Sequence, residues 1–413
     1  MPEENLGRRL RIAYLTINDP TDRRSWSGTD YCMARALEKH CGELFLMGPL
    51  QPLSQMAGKS IRRVFNLLGR TYLPAHTMSA SKILGRMADR KLSETSCDVV
   101  FAPAGSSVLA HLQTKLPIVY LSDVTFRLIA GYYPEFSRLL ASQGRMADQI
   151  EQLAIQKAAQ LIYPSSWAAR SAIEDYGADP RKVHVVPFGA NLEHPPSREQ
   201  AVRVPPSDRC RLLFVGVNWE RKRGDIALET LLELERLGVP AELTIVGCRP
   251  PDRVRHPNLR VMPFLNKNDV REREHLYNLY FESHFFLLPT RAECFSIALC
   301  EANAFGLPNI ATRTGGLSEL VVEGLNGFLL PLDARGDQYA RRIRDIFADK
   351  EKYAALRVSS RAEFECRLNW DTWGREAGKI LQSAVEPDTD GHPKAEISGR
   401  LSTAALPGPS VEG

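Results

Sequence analysis

Two glutamates flank the start of a predicted helix, in positions where carboxylates could bind or act on a substrate. Glu293 lies on the loop after a predicted strand that ends near Leu288, and seven residues separate it from Glu301. The helix begins after Ser296, ends before Gly306 and is almost wholly apolar, with Glu301 as its only charged residue. Burying a lone carboxylate costs several kcal/mol, so Glu301 must reach an edge or meet a polar partner. The alternative is a pair of solvated surface glutamates.

A run of three basic residues, Arg221–Arg223, is the second candidate for chemistry. It follows a predicted strand and Gly216 within the stretch LLFVGVNWERKRGD, residues 212–225. Cations grouped on one loop suit an anionic ligand, whereas a solvated basic turn is the structural alternative. No GxGxxG or Walker A motif competes with this loop for the role of a phosphate site.

Short apolar strands alternating with helical stretches must position these side chains. The first series of predicted strands covers residues 10–16, 43–47, 98–102, 118–121, 161–163 and 184–186, and the second covers 212–215, 242–246, 259–261, 284–288, 308–311 and 327–330. Alternation of this kind predicts an α/β protein with parallel sheets covered by helices on both faces. We therefore expect two tandem doubly wound domains, residues 1–190 and 210–368, facing a cleft. A proline-rich linker, 191–209, separates them, and 386–413 form a disordered tail.

Length and composition exclude several classes of protein. The chain has 413 residues, 44% of them hydrophobic and 25% charged, with a net charge of +4. These values exclude collagen-like, coiled-coil and wholly disordered chains, and so balanced a charge argues against a nucleic-acid binder. No apolar run is long enough to span a bilayer, and the N-terminal residues do not resemble a signal peptide. The eight cysteines show no zinc spacing, so we expect free thiols in a cytoplasmic protein.

Residues 56–91 depart from the balanced charge of the chain. They hold eight basic side chains, among them Lys59, against the single acid Asp89. Helical periodicity would place Ile61, Val64, Phe65, Leu68 and Tyr72 on one face, with Pro74 closing the segment. A basic amphipathic helix could rest on an anionic membrane and meet a lipid-linked acceptor. The alternative is a helix packed on its own sheet with a solvated basic face.

Four stretches in register make the chain resemble retaining glycosyltransferase family 4, also called glycosyl transferases group 1. Glu293 and Glu301 have the spacing of the family's signature, and 212–225 resemble its glycine and Arg/Lys loop. Residues 311–331 (ATRTGGLSELVVEGLNGFLLP) and 162–191 (IYPSSWAARSAIEDYGADPRKVHVVPFGAN) are similar to two further elements. The resemblance runs from about residue 10 to 385. It implies the GT-B fold, two Rossmann-like domains with a C-terminal helix, 369–385, crossing back to the first.

The resemblance also implies a role for each candidate in the second domain. Glu293 would contact hydroxyls of the transferred sugar, and Glu301 would accept hydrogen bonds from the ribose. Lys222 and Arg221 would meet the departing diphosphate without a metal, next to the loop at Gly216. The N–H groups of Phe295, Ser296 and Ile297 would form an anion site at the helix N-terminus.

The first domain matches the family less closely. Gly28, in the SWSGT loop after the first strand, stands where relatives place small residues near the donor phosphate and the acceptor. Many relatives carry His-Asp after the strand 118–121, whereas this chain has Ser122 and Asp123. Asp123 is therefore the candidate polar site residue at this position. Relatives also often carry an arginine soon after the glycine, where this chain has Val217. Trp26 could stack on an acceptor sugar or simply anchor its loop.

The sequence therefore predicts a retaining hexosyltransferase. It would move a sugar from a nucleotide-diphosphate sugar to a hydroxyl of a sugar or lipid-linked acceptor, in surface polysaccharide or glycolipid synthesis. No metal or other cofactor is expected, and any membrane contact would be peripheral at the inner face. Two alternatives stay open: a nucleotide-sugar epimerase or hydrolase of the same fold, and a non-catalytic nucleotide-sugar-binding subunit.

Overall fold

The computed structural model describes residues 8–50, 54–206, 208–252 and 254–386, with backbone alone described for 54–60. The expected tail, 386–413, lies outside the described residues apart from Glu386. Two six-stranded parallel sheets, each covered by helices, make up the described chain, which confirms the predicted α/β class.

The first sheet is formed by the N-terminal half of the chain. Its strands are β1 (Leu10–Tyr14), β2 (Gly42–Leu46), β3 (Val99–Pro103), β4 (Ile118–Leu121), β5 (Gln160–Tyr163) and β6 (Val183–Val185). They lie in the order β2-β1-β3-β4-β5-β6, all parallel. Its helices are α1 (Thr29–His40), α2 (Ser54–Leu67), α3 (Met78–Ser93), α4 (Ser106–Leu109), α5 (Phe126–Ile129), α6 (Ala141–Lys157) and α7 (Ser166–Glu174).

The second sheet repeats this architecture. Its strands are β7 (Cys210–Val215), β8 (Ala241–Val246), β9 (Leu259–Met262), β10 (Phe285–Leu288), β11 (Asn309–Thr312) and β12 (Gly327–Leu330), in the order β12-β11-β10-β7-β8-β9. The accompanying helices are α8 (Arg198–Val202), α9 (Trp219–Lys222), α10 (Gly224–Arg236), α11 (Val270–Glu282), α12 (Ile297–Ala304), α13 (Leu317–Leu320), α14 (Gly336–Phe347), α15 (Lys350–Cys366) and α16 (Trp370–Val385).

Burial explains why the short apolar runs form central strands. Every residue of β3, β4, β10 and β11 is buried, as expected for strands covered on both faces. In the second sheet β7 and β10 are neighbours, and the chain leaves them in opposite directions along the sheet. The loops at their carboxyl ends diverge there, which is where open α/β sheets bind ligands. Lys222 ends the short helix α9, which follows β7, and Glu293 lies on the loop after β10.

The C-terminal helix α16 packs against the first sheet although it follows the second one in sequence. Trp373 is fully buried and meets Phe101 of β3, with ring centroids 6.1 Å apart. Trp370 stacks on Phe188 at 6.0 Å. The two tryptophans thus anchor the helix to the first half of the chain, as expected of a C-terminal helix that crosses back.

The predicted linker contains one helix, α8, that the sequence analysis did not anticipate. Ser197 and Gln200 form a capping box at its start, and buried Arg357 donates to the carbonyl of Ala201 at 2.6 Å. A short helix with both end groups satisfied forms here despite the surrounding prolines.

The basic amphipathic segment differs from its prediction in length. Helix α2 ends at Leu67 because Gly69 takes a left-handed conformation, with φ of 68°. Tyr72 therefore lies outside the helix and packs on Phe65, ring centroids 5.1 Å apart. Pro74 opens a 3₁₀ turn rather than closing a helix. The side chain of Lys59 lies outside the described residues.

Candidate active site

Glu293 is the centre of the site, on the loop between β10 and α12. Its side chain is buried, and its Oε2 forms an ion pair with Lys222 Nζ and lies 3.4 Å from Arg221 Nη1. The Tyr133 hydroxyl donates to the other carboxylate oxygen at 3.4 Å. Two cations and a phenol therefore enclose this carboxylate, which excludes the alternative of a solvated surface glutamate.

Burial lowers the pKa of the Lys222 ammonium group, and the Glu293 carboxylate opposes that shift. The lysine stem passes over Gly216, where a Cβ would stand 3.1 Å from Lys222 Cγ. Gly216 thus acts by leaving room for the lysine that reaches Glu293.

Arg221 ties the two loops of the second sheet together. Its Nη1 donates to the carbonyl of Ala292 at 2.8 Å, and its own carbonyl accepts the N–H of Arg291 at 2.8 Å. The guanidinium lies over the Tyr133 ring, 4.4 Å from its centroid. Cation–π and hydrogen-bond contacts hold one positive charge beside Glu293.

The N-terminus of α12 opens beside this cluster. Ser296 occupies the N-cap position with φ of −102° and ψ of 103°, as predicted, but its side chain makes no capping hydrogen bond. The first N–H groups of α12 are thus not capped by this hydroxyl. Phe295 meets Phe188 of the first half of the chain, ring centroids 5.1 Å apart, so the helix start lies where the two halves face each other.

Glu301 has the polar partners that its apolar helix requires. It is 2% exposed and forms an ion pair with Lys267 through Oε1. The Tyr280 hydroxyl donates to Oε2 at 3.1 Å. Lys267 and Gly28 line one small cavity, so the loop after β1 and the surroundings of Glu301 face a common space.

Asp123 reaches the same centre from the first sheet. Burial raises its pKa to about 6, the nearby Glu293 carboxylate adds to the rise, and a hydrogen bond with Trp26 opposes it. Trp26 also packs edge-on against Phe188, ring centroids 5.7 Å apart. Trp26 therefore anchors its loop beside Asp123. Consecutive positive φ values at Trp26, Ser27 and Gly28 turn this loop before α1 begins.

Two adjacent tyrosines, Tyr132 and Tyr133, complete the site and were missed by the sequence analysis. Their hydroxyl oxygens accept the backbone N–H groups of Glu293 and Cys294 at 2.9 and 3.1 Å. Tyr132 also bonds Thr314 across 2.8 Å. They lie in an irregular loop with no periodicity or spacing that could have singled them out.

The predicted residues consequently fall into two groups. Glu293, Lys222, Arg221 and Asp123 meet around one carboxylate, whereas Glu301 lies with Lys267 at a second point. The described residues contain no group of three or more His, Cys, Asp or Glu side chains placed to hold a metal. None of the described helices is long and apolar enough to cross a bilayer.

Comparison with known proteins identifies both halves of the chain. The model for Glycosyltransferase Family 4 matches residues 31–194, and that for Glycosyl transferases group 1 matches residues 209–349. The D-inositol 3-phosphate glycosyltransferase of Nocardiopsis dassonvillei is 29% identical over 254 residues, which are 56% of this chain and 58% of that protein. The chain thus matches little more than half the length of such curated relatives.

Solved structures share the fold at low sequence identity. Sucrose-phosphate synthase from Thermosynechococcus elongatus has a TM-score of 0.64 and 16% identity, over 91% of this chain and 99% of that one. Alr3699/HepE of Anabaena, in complex with UDP-glucose, has a TM-score of 0.59 and 17% identity, over 91% and 100%. These likenesses confirm the two-domain GT-B fold. With its two halves matched in order by the two models, the chain belongs to glycosyltransferase family 4, within glycosyl transferases group 1.

Proposed function

We propose that the protein transfers a sugar from a nucleotide-diphosphate sugar to an acceptor hydroxyl with retention of anomeric configuration. The observation that carries this proposal is the buried cluster of Lys222, Arg221 and Glu293 beside the uncapped start of α12. Two cations and a helix N-terminus suit a diphosphate that gains charge as its bond to the sugar breaks.

The residues of this cluster would change their ion-pair partners when the donor binds. With a donor bound, a phosphate oxygen would share Lys222, which now pairs with Glu293. The N–H groups of Phe295, Ser296 and Ile297 would face the same phosphate. Glu293 would then turn its carboxylate to sugar hydroxyls, and Glu301 would accept the ribose hydroxyls beside Lys267. The leaving charge is met by side chains and backbone, so we infer that no metal is required.

The first half of the chain would hold the acceptor. Asp123 and the tyrosine pair face Glu293 from that side, so closing the two halves completes the site. Among the relatives, the enzyme of Nocardiopsis dassonvillei is named for an inositol phosphate, and the Anabaena structure holds UDP-glucose. We propose a cytoplasmic enzyme of surface polysaccharide or glycolipid synthesis, with a sugar or lipid-linked acceptor.

A ligand panel followed by a transfer assay tests this function. Thermal shift against UDP, GDP, ADP and their sugars identifies the donor, because a ligand at about 100 times its dissociation constant stabilises by about 2.7 kcal/mol. The selected donor is then incubated with an acceptor panel, with and without EDTA, and the product anomer is determined by NMR. We expect EDTA-resistant transfer with retention.

The two alternative functions would each give a different result in the same assay. Donor turnover without any acceptor would favour the epimerase or hydrolase. Donor binding without turnover across the whole panel would favour a non-catalytic binding subunit. Activity lost on chelation and restored by magnesium or manganese would contradict the metal-free assignment.

A further inference from the structure

We propose that an arginine-lined cavity beside Glu293 binds a phosphate group carried by the acceptor. This inference rests on the proposed function and adds the chemical class of its second substrate. The cavity has a volume of about 570 Å³ and lies between the end of α2, the loop 131–138, α9 and the loop after β10. Its charged lining consists of Arg70, Arg138, Arg221, Arg291 and Glu220.

The side chains of three of these arginines have no partner among the described residues. Arg70, Arg138 and Arg291 are exposed, and among the described residues none has a side-chain hydrogen bond or ion pair within the chain. Many surface arginines elsewhere are paired, as Arg23 is with Glu193 and Arg127 with Asp148. Unpaired guanidinium groups lining one cavity, opposed by a single carboxylate, make it a site for an anion.

Guanidinium groups are well matched to a phosphate group. Each planar fork can donate two parallel hydrogen bonds to one tetrahedral oxyanion, and phosphate offers three or more acceptor oxygens and up to two negative charges. The polar side chains of Asn66 and Thr71 line the same cavity and supply further donors, whereas the Ser137 hydroxyl donates to the carbonyl of Tyr133 at 2.8 Å.

The cavity adjoins the reacting centre and overlaps the proposed donor diphosphate site at Arg221. Arg221 lies 3.4 Å from Glu293 Oε2, and Tyr132, which also lines the cavity, accepts the Glu293 N–H. The start of α12, where the donor phosphate is proposed to bind, does not line the cavity. An acceptor held by its phosphate here would present its hydroxyl to Glu293 from the first half of the chain.

The phosphate could come from a soluble sugar phosphate or from a phospholipid headgroup, and matched probes separate these sources. Calorimetry measures the binding of inositol, inositol 3-phosphate and inorganic phosphate, and sedimentation measures binding to phosphatidylinositol vesicles. The variants are wild type, the double variant Arg70→Gln/Arg138→Gln, and the control Arg170→Gln. Arg170 is an exposed arginine of α7 outside the cavity.

We expect inositol 3-phosphate or the vesicles to bind the wild type and the control alike, and neutral inositol to bind much more weakly. Losing charged hydrogen bonds should weaken phosphate binding to the double variant about 10- to 100-fold. Its affinity for the donor nucleotide should stay within about twofold, which shows that the fold is intact. Preference for inositol 3-phosphate over the vesicles identifies a soluble source, and the reverse identifies a lipid.

Equal phosphate affinity in the double variant and the wild type would overturn the inference, as would the absence of phosphate binding to the wild type. The proposed function can fail independently of this site. If phosphate binding depends on Arg70 and Arg138 but no sugar is transferred from any donor, the phosphate site stands and the proposed glycosyltransferase activity is rejected.

Discussion

Lys222 supplies the buried positive charge of the site. It is buried, its pKa is lowered by desolvation, and its only ion-pair partner among the described residues is the Glu293 carboxylate. A buried cation with one replaceable partner suits a role in which charge develops during the reaction rather than on binding.

Replacing Lys222 with alanine should therefore lower turnover more than donor affinity. We expect kcat to fall about 10²- to 10³-fold, the usual cost of removing one group that stabilises developing charge. Lys350→Ala, at an exposed lysine on α15, is the matched control and should behave as wild type. A weaker donor affinity with unchanged kcat would place Lys222 in ground-state binding instead.

The sequence located the charged residues of the site but not all of their partners. Glu293, Glu301 and Lys222 stand out because charge on apolar or glycine-bordered elements is unusual. Tyr132 and Tyr133 could not be found in this way, since their role arises only when a first-half loop reaches the N–H groups of Glu293 and Cys294. Contacts between distant loops leave no periodic signal in a sequence.

At the scale of elements, the turn after β11 presses against the loop that carries Glu293. Gly315 has φ of 52°, and a Cβ there would stand 2.0 Å from the carbonyl oxygen of Glu293. Gly316 has a similar constraint, 2.1 Å from the carbonyl of Cys294. Close backbone approach thus requires glycine at both positions, and the left-handed conformation requires it at Gly315 as well.

Gly315→Ala should displace the Glu293 loop and damage both stability and turnover. Gly177→Ala is its matched control, because Gly177 has φ of 68° and a Cβ there would meet no atom of the described residues within 4 Å. Both variants incur the left-handed penalty of about 1–2 kcal/mol, so any further loss in Gly315→Ala reports the clash. Equal unfolding free energies and equal kcat for the two would contradict this packing.

Helix α2 exposes apolar side chains that a helix packed on its own sheet would bury. Ile61, Val64 and Leu67 are 42%, 55% and 87% exposed, and Leu68, just past its end, is 71% exposed. Arg62 and Arg63 are exposed on the same short helix. Ile61, Val64 and Leu67 of α2 are therefore open to solvent, which is what lipid contact requires.

We expect the protein to co-sediment with anionic vesicles at low salt and much less with neutral ones. Val64→Ser/Leu68→Ser should reduce this binding, while Leu232→Ser, at an exposed leucine of α10, should leave it unchanged. Equal recovery with both vesicle types would reject membrane contact.

The elements themselves were predictable because each strand is a short apolar run flanked by turns. Boundaries from the sequence differ from the observed ones by one or two residues at most strands, and β4 and β12 agree fully. Helix α8 and the early end of α2 were not predictable, because a capping box among prolines and a single left-handed glycine decide them.

At the scale of the whole molecule, buried carboxyl groups make stability depend on pH. Burial raises the pKa of Glu151 to about 7, that of Asp30 to about 6 and that of Asp123 to about 6. Each value lies above that of the unfolded chain, so the unfolded state loses these protons first as the pH rises. Stability from the protonated forms is complete near pH 4 and is lost as the pH passes 6 to 7.

Glu151→Gln isolates the largest of these contributions. Glu151 is 4% exposed, and Tyr120 donates to it at 2.9 Å, a bond that an amide oxygen can also accept. The wild type should lose about 3 kcal/mol more than the variant between pH 4.5 and 8. Denaturant unfolding across this range measures the difference, and parallel pH profiles would contradict it.

In the proposed mechanism Glu293 contacts the transferred sugar and Glu301 the nucleotide, and these two roles are separated by measuring nucleotide affinity and turnover in two variants. Glu301→Gln should weaken binding of both free nucleotide and nucleotide sugar by about 1.5–3 kcal/mol, the range for a charged hydrogen bond. Glu293→Gln should leave free-nucleotide affinity nearly unchanged while turnover falls. Lost nucleotide affinity in Glu293→Gln, with affinity kept in Glu301→Gln, would contradict the account.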